Sequence, residues 1–312
     1  MILKRNFSPK KVMGYVWRPL LYSTAVAGTV VVAQQVSGTT RLAAPIYPIG
    51  TLGAALAIFV AFRNNASYAR WWEARTVWGN IQASSRVLAR QLIAATENAI
   101  ATGAGGSQDD IMAYRRELVL RIIAFGHALR IQLRGTGDWH RLRPLLSPAE
   151  YEVLLHRWNR PNSILQTLSI RLKDGVRAGI VGQFDPITLE PNVAALNMSA
   201  AACERIKSTP TPRQYDFFTR MAVILFATLL PFGLESVILP GQWWWVVLLS
   251  VAISGVFIVL ERVGAVIDTP FENQITDVAL TSITTDIERD LREQLAEPEL
   301  PDPEPVVNGY LW

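Results

Sequence analysis

Two stretches of this chain are too long without charge to sit in a water-soluble core. Pro19 to Thr40 holds no Asp, Glu, Lys or Arg over about twenty residues, enough for a helix to cross about 30 Å of hydrocarbon. Met221 to Leu260 runs for about forty residues with one charge, Glu235, and is split by the turn signal Pro240-Gly241 beside Trp243, Trp244 and Trp245. That pattern reads as two spans joined by a tight hairpin with an interfacial aromatic belt. A cleaved secretory signal is the rival reading for the first stretch, but no small-residue cleavage site follows a short core. A retained span is therefore expected, starting near Trp17 and losing its helix by Ser37-Gly38.

A further uncharged run, Leu42 to Phe62, lies between them. Pro45 and Pro48 are expected to fix a loop, which leaves a helix of about fourteen apolar residues before Arg63, short for a lipid-facing span. Gly53, Ala54, Ala55, Ala57 and Ala61 crowd it, which suits close packing against other helices. The charge-free run then changes character abruptly: Arg70, Trp71, Trp72, Glu73, Arg75 and Trp78 arrive within about two helical turns. One helix is expected to leave the hydrocarbon and continue into water.

Mean hydropathy is +0.21, yet 18% of the 312 residues are charged, so a substantial water-facing part accompanies the four spans. Lys and Arg sort to one side. Lys4, Arg5, Lys10, Lys11 and Arg18 precede span one, Arg63, Arg70 and Arg75 follow span two, Lys207, Arg213 and Arg220 precede span three, and Arg262 follows span four. The opposite side has only Arg41, which predicts a multi-pass membrane protein with both termini cytoplasmic. Net charge is +4 and no basic run is interleaved with aromatics, so no nucleic-acid partner is expected.

The expected organisation is a cytosolic N-terminal segment (1–18), two transmembrane helices (19–62), a cytosolic helical region (63–215), two more transmembrane helices (216–263), a cytosolic C-terminal segment (264–295) and a Pro- and acid-rich tail (296–312), docked loosely at most by Tyr310 to Trp312. In the middle, "GSQDDIMAYRRELVLRIIAFGHALRIQL" starts a helix after a glycine loop, and "LSPAEYEVLLHRW" offers Ser147 as cap, Pro148 at the first helical position and Glu150 to close a capping box. The fold class is all-α.

Catalytic chemistry finds little support. His127, His140 and His156 stand far apart without ligand-spaced partners, the single cysteine, Cys203, builds no zinc site, and no phosphate loop, dinucleotide turn or G-x-S-x-G occurs. An enzyme would need a polar cluster assembled from His127, Glu117 or Asp138. No metal or cofactor is expected. A coupled transporter is disfavoured as well, since spans one and two hold no ionisable group and Glu235 falls near the outer end of span three.

Ala54, Ile58 and Phe62 recur at every fourth position and share one helix face. They are either an internal packing stripe or one wall of a pore, where copies from several subunits would form apolar rings that gate by dewetting. Four spans are too few to enclose such a path, so the pore reading requires a homo-oligomer.

"FRNNASYARWWEARTVWG" (62–79), "CERIKSTPTPRQY" (203–215) and "DTPFEN" (268–273) resemble the bacterial branch of the bestrophin family, over about residues 5 to 295. The resemblance implies a homopentamer in the lipid bilayer with four transmembrane helices per subunit, continuing into a cytosolic helical bundle around one axial pore for monovalent ions. It places the pore neck at Ala54, Ile58 and Phe62, and a cytosolic constriction at Ile187 after an Asp-Pro pair. Asp185 is then a candidate vestibule charge, against the commoner role of capping a helix. Where calcium-activated relatives carry an acidic run after the Pro-Phe pair, this chain has "ENQITD", so calcium independence is expected. The resemblance points to a sodium-like cation, with an anion channel of the same fold, or a non-conducting signalling or scaffold protein, as the alternatives.

Overall fold

A computed structural model describes residues 1–2, 9–37, 43–239 and 241–312, with the side chains of 9–12 left aside. The expectations at Lys4, Arg5, Gly38, Arg41 and Pro240 therefore lie outside the described residues, as do those on the Lys10 and Lys11 side chains. Nine α-helices occur among the described residues: α1 (Pro9–Ser37), α2 (Ile46–Thr102), α3 (Gln108–Arg134), α4 (Pro148–Leu155), α5 (Arg160–Arg177), α6 (Pro186–Ser208), α7 (Arg213–Glu235), α8 (Trp243–Ile267) and α9 (Leu280–Gln294). Extended pairing among them is limited to isolated bridges of Tyr310 with Ile2 and Val307. The fold is all-α. Four helices, α1, α2, α7 and α8, are long and apolar enough to cross a membrane.

Helix α2 has 57 residues, about 85 Å at the usual rise, so most of it lies beyond a hydrocarbon core of about 30 Å. Its start departs from the expected loop. Pro48 lies in the first turn, where the backbone N–H has no intrahelical acceptor to lose, so the proline is accommodated and the apolar segment begins at Ile46.

The chain divides into two compact units, and α2 supplies residues to both. One contains α1, α2 up to Trp71, and Pro210–Thr269 with α7 and α8. Its core gathers Val16, Val31, Leu56, Val60, Phe226 and Val246. Phe226 meets Phe257 edge-on at 5.0 Å, and Ser23 bonds Ser254 at 2.6 Å between α1 and α8, giving two buried hydroxyls each other as partners. Helices α2 and α7 approach closely because Gly53 has no side chain: a Cβ there would lie 2.8 Å from Phe226 Cε2.

The other unit holds Trp72–Thr209, Pro270–Trp312 and the first residues of the chain. Its centre is α3, in which Leu118, Ile122, Phe125 and Leu129 are fully buried. Ser107 caps its start by accepting the Asp110 N–H, and Gly135 ends it in the left-handed conformation at φ 64°. Ser147 caps α4 by accepting the Glu150 N–H at 3.3 Å, but the Glu150 carboxylate does not close the box. It takes a bidentate bond from buried Arg121 instead, at 3.0 and 2.7 Å. A charge-assisted pair of this kind is stronger than a neutral capping bond.

The Pro- and acid-rich tail is held by specific bonds rather than loosely. Arg116 and Arg292 both bind Glu297, the Ser282 N–H donates to the Trp312 carbonyl at 2.7 Å, and the Leu311 N–H donates to the Met1 carbonyl at 2.9 Å. Tyr310 is buried. Composition alone underestimates this segment because its partners come from α3, α9 and the first residue.

Candidate functional site

On α2 the two faces differ sharply. Ile49, Gly53, Leu56, Val60, Arg63 and Ser67 are buried at alternating three- and four-residue steps, as the helical period requires for one face packed on α7 and α8. Ala54, Ile58 and Phe62 fall on the other face. All three are exposed within the subunit, Ile58 at 58% and Phe62 at 71%. The internal packing stripe is thus the face carrying Gly53, Leu56 and Val60, on the opposite side of the helix from Ala54, Ile58 and Phe62.

A polar clamp sets the rotation of α2 at this level. Arg63 donates from Nε to Asp216 Oδ1 at 2.7 Å and from Nη1 to the Glu261 carbonyl at 2.8 Å, with the Glu261 carboxylate 3.8 Å away. Asn64 Nδ2 donates to the Leu260 carbonyl at 2.9 Å. These bonds tie α2 to α7 and α8 immediately after Phe62. Arg63 was expected as a water-facing flank charge; it is buried, because Asp216 in the first turn of α7 and Glu261 near the end of α8 offer a buried guanidinium the paired environment it requires. The sequence signal was available: an acid at the matching edge of each neighbouring span.

The aromatic and charged stretch that follows is placed residue by residue. Arg70 Nε donates to the Asp268 carbonyl at 2.8 Å, and Asp268 Oδ2 accepts from the Thr211 hydroxyl at 2.8 Å. Three separated motifs therefore meet at one point, through Arg70, Thr211 and Asp268. Arg205 binds Glu73 and Lys207 binds Glu272, which ties the same motifs together again. Trp78 is fully buried within its own unit, whereas Trp72 is 55% exposed.

Ile187, in the first turn of α6, is 70% exposed, and Phe184 beside it is 74% exposed. Phe184 was not foreseen; as the bulkier apolar group it belongs to the same exposed tip. Asp185 uses one carboxylate oxygen locally, accepting the Gly182 N–H at 2.8 Å.

The polar groups named for possible chemistry do not cluster. Glu117 is bound by Arg121 and Arg171; burial pushes its carboxyl upward, but the two guanidinium bonds outweigh this and hold it below the usual range. His127 Nε2 bonds Glu288 at 2.8 Å. Burial likewise pushes Glu288 upward, and bonds to His127 and Arg292 bring it below its ordinary value. These are structural pairs. Among the described residues no group of three His, Cys, Asp or Glu is placed to hold a metal ion.

A family model described as "Bacterial/Fungal Bestrophin protein" matches residues 5–293. The chain belongs to the bestrophin family. Members are channels rather than enzymes. Two relatives of this bestrophin are a Ralstonia nicotianae protein named "Voltage-dependent anion channel-forming protein RSc3414", 32% identical over 82% of this chain and 79% of that one, and the Escherichia coli K12 "Voltage-dependent anion channel-forming protein YneE", 32% identical over 81% and 78%. A crystal structure of a bacterial bestrophin homolog from Klebsiella pneumoniae, carrying a point mutation, superposes with a TM-score of 0.80 at 28% identity, covering 90% of this chain and 99% of that one.

Proposed function

We propose that this bestrophin is a homopentameric ion channel of the bacterial inner membrane, with both termini cytoplasmic. Its neck is formed where five copies of the Ala54, Ile58 and Phe62 face surround an axis. The observation that carries this is the exposure of Ile58 and Phe62 on a helix whose opposite face is packed and clamped. An apolar face exposed on a membrane helix meets either lipid or a second subunit, and in a chain of a channel family we read it as the wall of the conduit. Ala54 makes the outermost ring of the three the widest. Ile187 and Phe184 form a second, cytosolic constriction, and opening is independent of calcium.

The permeant ion is a monovalent anion. The names of the Ralstonia and Escherichia relatives favour an anion over the sodium-like cation that the branch resemblance suggested. An apolar ring contributes no charge that would select a cation. Asp185, the acid offered for that role, already has one oxygen engaged by the Gly182 N–H. Flux from liposomes under opposed sodium and chloride gradients tests the reading. Chloride-driven flux is expected; sodium-dominated flux restores the cation alternative, and silent protein removes the channel reading.

A further inference from the structure

Between α1, α7 and α8 lies a cavity of about 330 Å³ whose wall changes character along its length. One part carries Arg18, Arg220 and Arg262; the other carries Val223, Ile224 and Ala227. Each arginine stands at the same boundary of an apolar run: Arg18 directly before Pro19, Arg220 directly before Met221, and Arg262 two residues beyond Leu260. They therefore lie at the depth where hydrocarbon gives way to headgroups.

The counter-charge in the cavity is small. Among the described residues Arg18 and Arg220 have no carboxylate within ion-pair distance, and Arg18 only lies 5.2 Å from the ring of its neighbour Trp17. Glu261 is the acid in the wall, 3.7 Å from Arg262, but it is already shared with Arg63 at 3.8 Å. Arg262 Nε, the atom that faces Glu261 Oε2 at 3.7 Å, is buried and has no partner within hydrogen-bond distance, and leaving such a donor without one is costly. Three guanidinia facing one committed carboxylate leave an excess of positive charge, and an apolar wall continues from it.

We propose that this cavity binds one anionic phospholipid per subunit. The phosphodiester sits among Arg18, Arg220 and Arg262, and the first methylenes of an acyl chain lie on Val223, Ile224 and Ala227. Ordinary snorkelling arginines meet bulk headgroups without selecting one molecule. A basic pocket between transmembrane helices, with an apolar floor, selects for both ends of the ligand. A free inorganic anion would match the charge and leave the apolar wall unused. The cavity is lined by α1, α7 and α8 and by no residue of α2, so the proposal stands or falls separately from the pore reading.

The test is native mass spectrometry of the full-length protein released from detergent, titrated with phosphatidylglycerol or phosphatidylcholine of identical acyl chains. One phosphatidylglycerol per subunit is expected to be retained with about a tenfold preference or more, given roughly one favourable charge contact per arginine. Arg18→Gln with Arg220→Gln should reduce that preference below about threefold, and the paired Arg→Lys changes should keep it. Ile224→Trp fills the apolar part at a half-exposed position while leaving all three arginines in place, and should also lose the bound lipid. It keeps the question open to measurement if the double Gln variant fails to assemble. Equal retention of the two lipids, an unchanged preference in both the Gln and Trp variants, or displacement of the lipid by millimolar inorganic phosphate would each overturn the proposal.

Discussion

Arg63 holds Asp216 through two guanidinium nitrogens, at 2.7 and 2.6 Å, one residue beyond Phe62, whose ring points the other way and is 71% exposed. Adjacent residues on a helix are separated by about 100°, so a clamp on one fixes the direction of the next. Asp216→Asn keeps the shape and removes the charge, which should cost about 1–3 kcal/mol, the lower part of that range being expected because the carboxylate is partly exposed. The midpoint of thermal unfolding in detergent should fall by several degrees; an unchanged midpoint would mean that the clamp contributes nothing.

How far this arrangement could be read in advance depended on the range of the interactions. The four spans and the helical middle are written in local hydropathy and in caps such as Ser107 and Ser147, each settled within a few residues. The start of α2 is harder to place, because Pro48 reads as a breaker until its position in the first turn is known. The burial of Arg63 is not written locally, because a charge at the end of an apolar run ordinarily faces water and its burial depends on Asp216 and Glu261, some 150 and 200 residues away. The tail is hardest of all, since its anchor at Met1 is 310 positions distant. Ala54, Ile58 and Phe62 were separable as a face from spacing alone; whether that face turned inward or outward was not.

Gly53 sets the separation of α2 and α7. Gly53→Ala would place a Cβ at 2.8 Å from Phe226 Cε2, so the ring must shift within a packed core, at a cost of about 1–3 kcal/mol. Combining it with Phe226→Leu should recover much of the loss. Gly53→Ala alone with wild-type thermal stability would show that the helices part without penalty.

Asp277 should make stability depend on pH. Its carboxyl is buried, with Oδ2 accepting the Gln274 N–H at 3.0 Å and Oδ1 without a partner. Burial pushes its pKa from 3.8 up to about 6. The folded state thus holds the proton more tightly than the unfolded chain, so this contribution is complete below about pH 4 and is lost as pH rises through about 6, amounting to about 3 kcal/mol. Asp277→Asn cannot ionise. The difference in unfolding midpoint between variant and wild type should therefore grow in the variant's favour from pH 4.5 to 6.5 and then level off; a pH-independent difference would rule this out.

Cys203 should be chemically silent in the folded protein. It has no exposed surface, and burial raises its thiol to about 12, so almost no thiolate is present or reachable at pH 8. Maleimide should label the denatured chain once and the native chain hardly at all. Rapid native labelling would indicate that α6 opens readily.

The sharpest prediction concerns the neck. If Ile58 and Phe62 line the path, each presents a ring of apolar side chains whose bulk sets the width of a dewetted constriction, and the free energy of keeping water and ions there falls as the ring widens. Phe62→Ala and Ile58→Ala should then raise single-channel conductance, with the larger rise at Phe62 because more volume is removed. Neither change should unfold the subunit, since both side chains are exposed within it and neither joins the Leu56, Val60 and Phe226 core. Leu56→Ala is the internal control: it lies on the buried face two residues from Ile58 and should lower stability by about 2–5 kcal/mol. Unaltered current in both ring variants, alongside the expected loss of stability at Leu56, would place the conduction path on another face of the molecule.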